Sequence, residues 1–246
     1  STLSKNPQDI NNMVINDEFG HKLKYDLQGL YLINEDTENK ITPNKPDFND
    51  IFDEIEKDSN YFIQTNVFDG VIFDQHAIQN GIKSNIIFDE NFKNLIDNKT
   101  DKVEIGYKLY IEGEHSFKIK GKKITSSFSS ISDISVDFND NKILLKESYI
   151  KDNNGIKFPV TIKIIFKDDC YEFRYSIDSN IFKRTDLEYP LILDPTQETY
   201  DFPDTGTYYF DVTYPQTFEF YYSARGYSGG CYNQCSDVKL FDPNGN

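Results

Sequence analysis

The chain has 246 residues, and 41 Asp plus Glu outnumber 26 Lys plus Arg to give a formal net charge of −15. A duplex phosphate backbone or an anionic lipid surface would repel that charge, so neither nucleic acid nor such a membrane is expected as a partner. No stretch approaches the ~18 consecutive apolar residues of a membrane-crossing helix, none of these residues reads as a secretory signal peptide, and 17 Tyr with 20 Phe supply ample core material.

Ile dominates the aliphatic residues and Asn is abundant. Ile, Phe and Tyr fit a pleated, half-buried surface, and Asn suits turns. Residues 1–13 read as a polar arm. Val14 to Tyr25 is predicted to form a hairpin turning near Glu18-Phe-Gly20, and Leu30-Tyr-Leu-Ile33 a third strand. Asn34 to Asn60 reads as loop, with weak helical spacing at Ile51, Phe52 and Ile55 that fits one or two turns.

From Tyr61 onward strands follow closely. Tyr61–Val67 and Gly70–Ile78 precede Asn80-Gly81 and Ile82–Phe88. Asn-Gly tolerates the positive φ angles of a type I′ turn, so this is the strongest hairpin signal in the chain. Between Val103 and Glu112 the odd positions 103, 105, 107, 109 and 111 are apolar or Tyr and are expected inward. Glu104, Lys108 and Glu112 are expected outward. Ser116–Ile124 reads as a further hairpin. Asp133–Phe138 and Lys142–Leu145 flank the turn Asn139-Asp-Asn141, and Val160–Phe166 and Tyr171–Ile177 flank Lys167-Asp-Asp169. Tyr189-Pro-Leu-Ile-Leu-Asp-Pro195 closes the series. So many short strands at this spacing predict an all-β fold, an antiparallel sandwich or rolled sheet.

After Thr196 the texture changes to two aromatic strands, Gly206–Thr213 and Thr217–Ser223, a Gly-rich loop, and a strand and turn from Ser236. About 50 residues provide few strands for an independent sandwich. The expected organisation is therefore an arm at 1–13, a β-rich module at 14–196, and at 197–246 the start of a second β-domain. The first residue, Ser1, fits prior processing or trimming, and Asp242-Pro-Asn-Gly-Asn246 reads as a turn into a further strand.

Cys170 reads as a lone thiol. Cys231 and Cys235 flank Tyr-Asn-Gln, a spacing that allows a small disulfide ring, two free thiols or half of a metal site. A disulfide would indicate an oxidising compartment. No Gly-x-Ser-x-Gly, His-Glu-x-x-His or phosphate-cradling glycine loop occurs, and His21, His76 and His115 are scattered. No catalytic residue is therefore assigned, and no cofactor is required.

Calcium is the more credible ligand. Asp137 and Asp140, the Asp152-Asn-Asn154 turn, and Asp194, Asp201 and Asp204 concentrate the hard oxygen donors that Ca²⁺ takes. The same residues also populate turns because they bond their own backbone. Tyr221, Tyr222 and Tyr227 lie in a Tyr-rich segment that could stack on glycans or anchor an interface, against core packing as the ordinary alternative. Asn98-Lys-Thr100 fits a glycosylation sequon.

Three stretches carry a family resemblance: Asp69-Gly-Val-Ile-Phe-Asp74 followed by Asn80–Phe88, Lys151-Asp-Asn-Asn-Gly155, and Tyr189-Pro-Leu-Ile-Leu-Asp-Pro-Thr196. In this order they resemble a β-module of very large secreted bacterial and archaeal surface proteins. That module precedes Rhs/YD-type repeats or cell-surface β-domains and ends in Y-P-V-x-I-D-P-T. The tail from Ser236 to Asn246 is similar to the strand and turn of pre-peptidase-type jelly-roll domains. The resemblance implies location and architecture, with no catalytic residues. The expectation is a non-enzymatic structural module of an extracellular cell-surface protein, part of a surface layer, filament or adhesin. It would self-associate or contact other surface proteins through strand edges and aromatic faces. A glycan-binding or enzyme-accessory module is the alternative, and a hydrolase with two facing carboxylates a third reading.

Overall fold

The computed structural model describes residues 2–3, 12–16, 20–44, 61–78, 81–139 and 141–200. All of them belong to one compact unit, residues 1–203. The fold is all-β and antiparallel throughout, with one sheet curled into a half-barrel. The strands are β1 (Thr2–Leu3), β2 (Asn12–Asn16), β3 (Lys22–Ile33), β4 (Glu38–Ile41), β5 (Tyr61–Phe68), β6 (Val71–Ile78), β7 (Gly81–Phe88), β8 (Lys102–Glu112) and β9 (Ser116–Ile119). They continue as β10 (Lys122–Ile124), β11 (Phe128–Ser130), β12 (Ile134–Asp137), β13 (Lys142–Leu145), β14 (Ser148–Lys151), β15 (Lys157–Phe166), β16 (Tyr171–Asp178), β17 (Leu191–Asp194) and β18 (Thr196–Tyr200). A 3-10 helix spans Glu90–Leu95, and a single helical turn, α1, spans Asn180–Lys183.

Sheet A runs β3-β8-β16-β15-β11. Both β2 and β4 line the outer edge of β3, one at each end, and β1 pairs with β2. Sheet B runs β5-β6-β7, then the ribbon β17 and β18, then β14 and β13. From there β13 leads on to β12, β9 and β10. The two sheets share β15: Lys157–Val160 pair with β14 in sheet B, and Thr161–Phe166 pair with β16 in sheet A.

Alternation explains the core. Leu23, Tyr25 and Leu27 on β3, Val103, Ile105, Tyr107 and Leu109 on β8, and Phe173, Tyr175 and Ile177 on β16 point inward from sheet A. They join Val71, Phe73, Ile86, Phe88, Leu191, Leu193 and Ile150 of sheet B in one cluster. Phe88, Phe92 of the 3-10 helix and Phe182 of α1 meet at ring separations of 4.7 to 5.1 Å. Asp89 starts that 3-10 helix by accepting the N–H groups of Asn91 and Phe92.

Several expectations hold. β6 and β7 form a hairpin whose last pair is Ile78 with Gly81, and β9 and β10 turn through Lys120 and Gly121, both at positive φ. Other features differ. The separate strand expected at Leu30–Ile33 is the second half of β3, which runs unbroken from Lys22. A register shift between Leu27 and Gly29 moves the inward positions from Leu27 to Leu30, so hydrophobic alternation alone reads as two strands. β4 lies within the stretch expected as loop, because Glu38–Ile41 is a polar edge strand without an apolar face. β18 carries the module past Thr196, pairing with β13 and β7. The weak helical segment at Asp50–Lys57 lies outside the described residues.

Candidate functional site

Three polar constellations stand out, one on each outer face and one at an end of sheet A. On the outer face of sheet A, Arg174 of β16 lies opposite Gly106 of β8, which lies opposite Gly29 of β3. The Arg174 guanidinium donates to Glu172 and Glu38, the latter at 2.7 Å, and to Glu104 at 3.1 Å. Glu104 is only 1% exposed and also pairs with Lys163 of β15. The Tyr31 ring stacks 4.0 Å from the guanidinium. A Cβ on Gly106 would stand 2.5 Å from the Tyr31 ring, so only glycine leaves room for it. Burial alone would lower the Arg174 pKa, but its carboxylate partners outweigh that and raise it. The Arg174 hydrogen bond holds Glu38 below its ordinary value. With every charge paired, this constellation braces five strands, β3, β4, β8, β15 and β16.

The outer face of sheet B is organised in rows, because residues directly opposite on paired strands share a face. Ile72, Ile87 and Ile192 form one row across β6, β7 and β17 and end against Lys151 of β14 and Lys157 of β15. These isoleucines are half-buried and lie outside the core cluster. Beside them Asn85 of β7 donates to Asp74 of β6 at 3.1 Å, and Tyr149 of β14 donates to Asp194 of β17 at 2.9 Å. The Lys83 ammonium lies 3.7 Å from Asp194, and the Lys157 ammonium 4.0 Å from the Tyr149 ring. The hydrogen bond to Asp194 raises the Tyr149 pKa. An apolar row is thus bordered by acids on one side and lysines at its end.

The third constellation is an open cleft of about 550 Å³ where β8 overruns β16. It is lined by Lys24 of β3, Tyr110 and Glu112 of β8, His115, the turn Lys167–Asp169, Cys170 and Tyr171. His115 Nδ1 lies 2.7 Å from the Gly113 carbonyl, and Nε2 lies 2.9 Å from the Tyr171 hydroxyl. A carbonyl only accepts, so in the neutral imidazole Nδ1 carries the proton and Nε2 accepts from Tyr171. Burial raises the pKa of both Tyr171 and Cys170, and Asp169 adds to the latter. The Cys170 thiol is therefore not activated as a nucleophile.

The residues singled out in the sequence fall in separate places. Asp194 sits in the sheet B row. Asp137 of β12 instead pairs with Lys118 at 2.5 Å and accepts from Ser135. Burial opposes its ionisation, but these partners outweigh it and lower its pKa. Asp152 is 2% exposed and organises the β14–β15 turn, accepting from Ile156 N–H at 2.7 Å and Glu188 N–H at 3.3 Å. Asn98 is exposed within a turn that Asp97 closes by accepting the Thr100 N–H and hydroxyl. Asp140, Asp201, Asp204, Cys231, Cys235, Tyr221, Tyr222 and Tyr227 lie outside the described residues. Among the described residues no group of three or more His, Cys, Asp or Glu is placed to hold a metal ion, and no helix is long and apolar enough to cross a membrane.

Sequence reasoning missed the Arg174 constellation and the isoleucine row, because both join strands far apart in the chain. The only available signal was an apolar residue at outward positions 72, 87 and 192 of otherwise alternating strands. No family model, curated protein or solved structure matches the chain.

Proposed function

We propose that the chain is a non-enzymatic structural module of a secreted cell-surface protein, contributing to a surface layer, filament or adhesin through contacts between copies. The observation that carries this reading is the isoleucine row on the outer face of sheet B, apolar at its centre and polar at its border, as protein interfaces are. The molecule is strongly acidic, so two copies repel over most of their surface. This face sets Lys83, Lys151 and Lys157 beside Asp74 and Asp194, so two copies meet there with the least repulsion. The edges at β4 and β10 are the poorer contact. Edge strand β4 carries Glu38 and Lys40, and β10 carries Lys122 and Lys123, charges that discourage edge-to-edge pairing.

Sedimentation and negative-stain microscopy of the chain, with and without EDTA, test the reading. Concentration-dependent assembly that Ile87→Thr or Ile192→Thr abolishes is the expected result, and loss of assembly in EDTA would add calcium to the contact. A monomer at every concentration would overturn it.

A further inference from the structure

The cleft at the end of sheet A has a separate use, and we propose that it is a binding subsite for a neutral oligosaccharide. Its origin is topological. The β8–β16 ladder stops at Leu109 with Tyr171, while β8 continues to Glu112, held on its other side by β3. The backbone edge of residues 110–112 that faces β16 thus has no strand partner among the described residues. The β15–β16 turn stands beside it, closed by the Lys167 N–H to the Cys170 carbonyl at 3.0 Å. A trough results that carries Tyr110 of β8 from the outer face, while Tyr171 of β16 shares the inner face with Leu109 and packs its ring against Phe117 and Phe166.

The lining sets the ligand class. Lys24 and Lys167 donate, Glu112, Asp168 and Asp169 accept, and both ring nitrogens of His115 are already engaged. Glu112 is shared with Lys22 at 3.2 Å and Lys167 with Glu172 at 3.5 Å. Donors and acceptors therefore alternate with little net field, and the slight excess of carboxylates disfavours phosphate, sulfate or uronate. A pyranose offers hydroxyls that both donate and accept, together with an apolar C–H face for a tyrosine ring. The volume lies in the range of small-molecule sites, roughly 300–1,000 Å³. Both nitrogens of His115 are held by Gly113 and Tyr171 and burial raises the Cys170 thiol, so the trough is assigned retention of a ligand rather than its cleavage. This use does not depend on how the sheet B face is used.

Saturation-transfer NMR on the full chain tests it, with the neutral tetrasaccharides of glucose, mannose, galactose and N-acetylglucosamine as probes. Tetralysine and inositol hexaphosphate serve as charged controls. At least one neutral probe should bind, and Tyr110→Leu, which keeps an apolar side chain but removes the ring, should weaken it about tenfold. Lys24→Ala should weaken it about threefold, whereas substitution of the exposed Ile131, Ile131→Ala, should leave it unchanged. Dispersed amide spectra for each variant separate loss of binding from loss of fold. The proposal falls if no neutral probe binds at about 10 mM, if binding survives both cleft substitutions, or if only a charged control occupies the cleft.

Discussion

The outer faces of the two sheets solve the same problem in opposite ways. Sheet A covers its outward positions with charge: Arg174, Glu104, Glu38, Glu172 and Lys163 satisfy one another, and Tyr31 lies over them. Sheet B leaves three isoleucines half-covered beside a short polar row. A face whose charges are matched internally has little left for a partner. A face with an apolar row still has surface to remove from water, at about 25 cal/mol per Å² of apolar area. The difference teaches that the charged face serves the fold and the apolar one is available for contacts.

Arg174→Met should break this comparison most strongly, because it leaves Glu104 buried with only Lys163 to balance it. A loss of about 3 kcal/mol is expected in urea unfolding. Adding Glu104→Leu to that variant should recover much of it, since an apolar pair needs no balancing charge. Gly106→Ala should cost about 1–2 kcal/mol, because the new methyl displaces Tyr31 from the guanidinium.

On the other face Ile87→Thr should change unfolding by less than about 1 kcal/mol, as surface substitutions do, yet abolish association between copies. A large destabilisation with association intact would reverse the roles assigned to the two faces. Inside the core, the Tyr25 hydroxyl is buried without a hydrogen-bond partner in the described structure. Tyr25→Phe should be neutral or stabilise by about 1 kcal/mol.

The acid response sharpens the contrast further. The Glu38 pKa is lowered in the folded state from 4.5. Its contribution is therefore full above about pH 4.5 and is lost as pH falls through the folded value. Stability of the wild type should fall across that window, and Glu38→Gln should flatten the response in unfolding midpoints measured from pH 7 to 3. The smallest effect belongs to the exposed Lys22–Glu112 pair, where Lys22→Ala should cost no more than about 0.5 kcal/mol and less in high salt.

Much of the fold was legible in particular residues. Val103, Ile105 and Leu109 alternate and are fully buried, and turn chemistry placed most hairpins from β5 to β16. The candidate sites were less legible. Glu104 was expected outward, and it does face away from the core, yet it is almost wholly buried, because Arg174 and Lys163 from later strands cover it. Asp137 and Asp152 have the composition of calcium ligands, but a neighbouring strand's lysine occupies one and turn N–H groups the other.

The sequence by itself determined the strand class, the inward face of β8 and most of the turns. These follow from local sterics and a period of two, which act within a few residues. Tertiary structure decided which strands became neighbours, where β3 changes its inward face, which carboxylates are paired, and that an apolar row and a cleft exist at all. Those depend largely on contacts between residues far apart in the chain, such as Arg174 with Glu104 and Glu38, whose pairing no local pattern specifies.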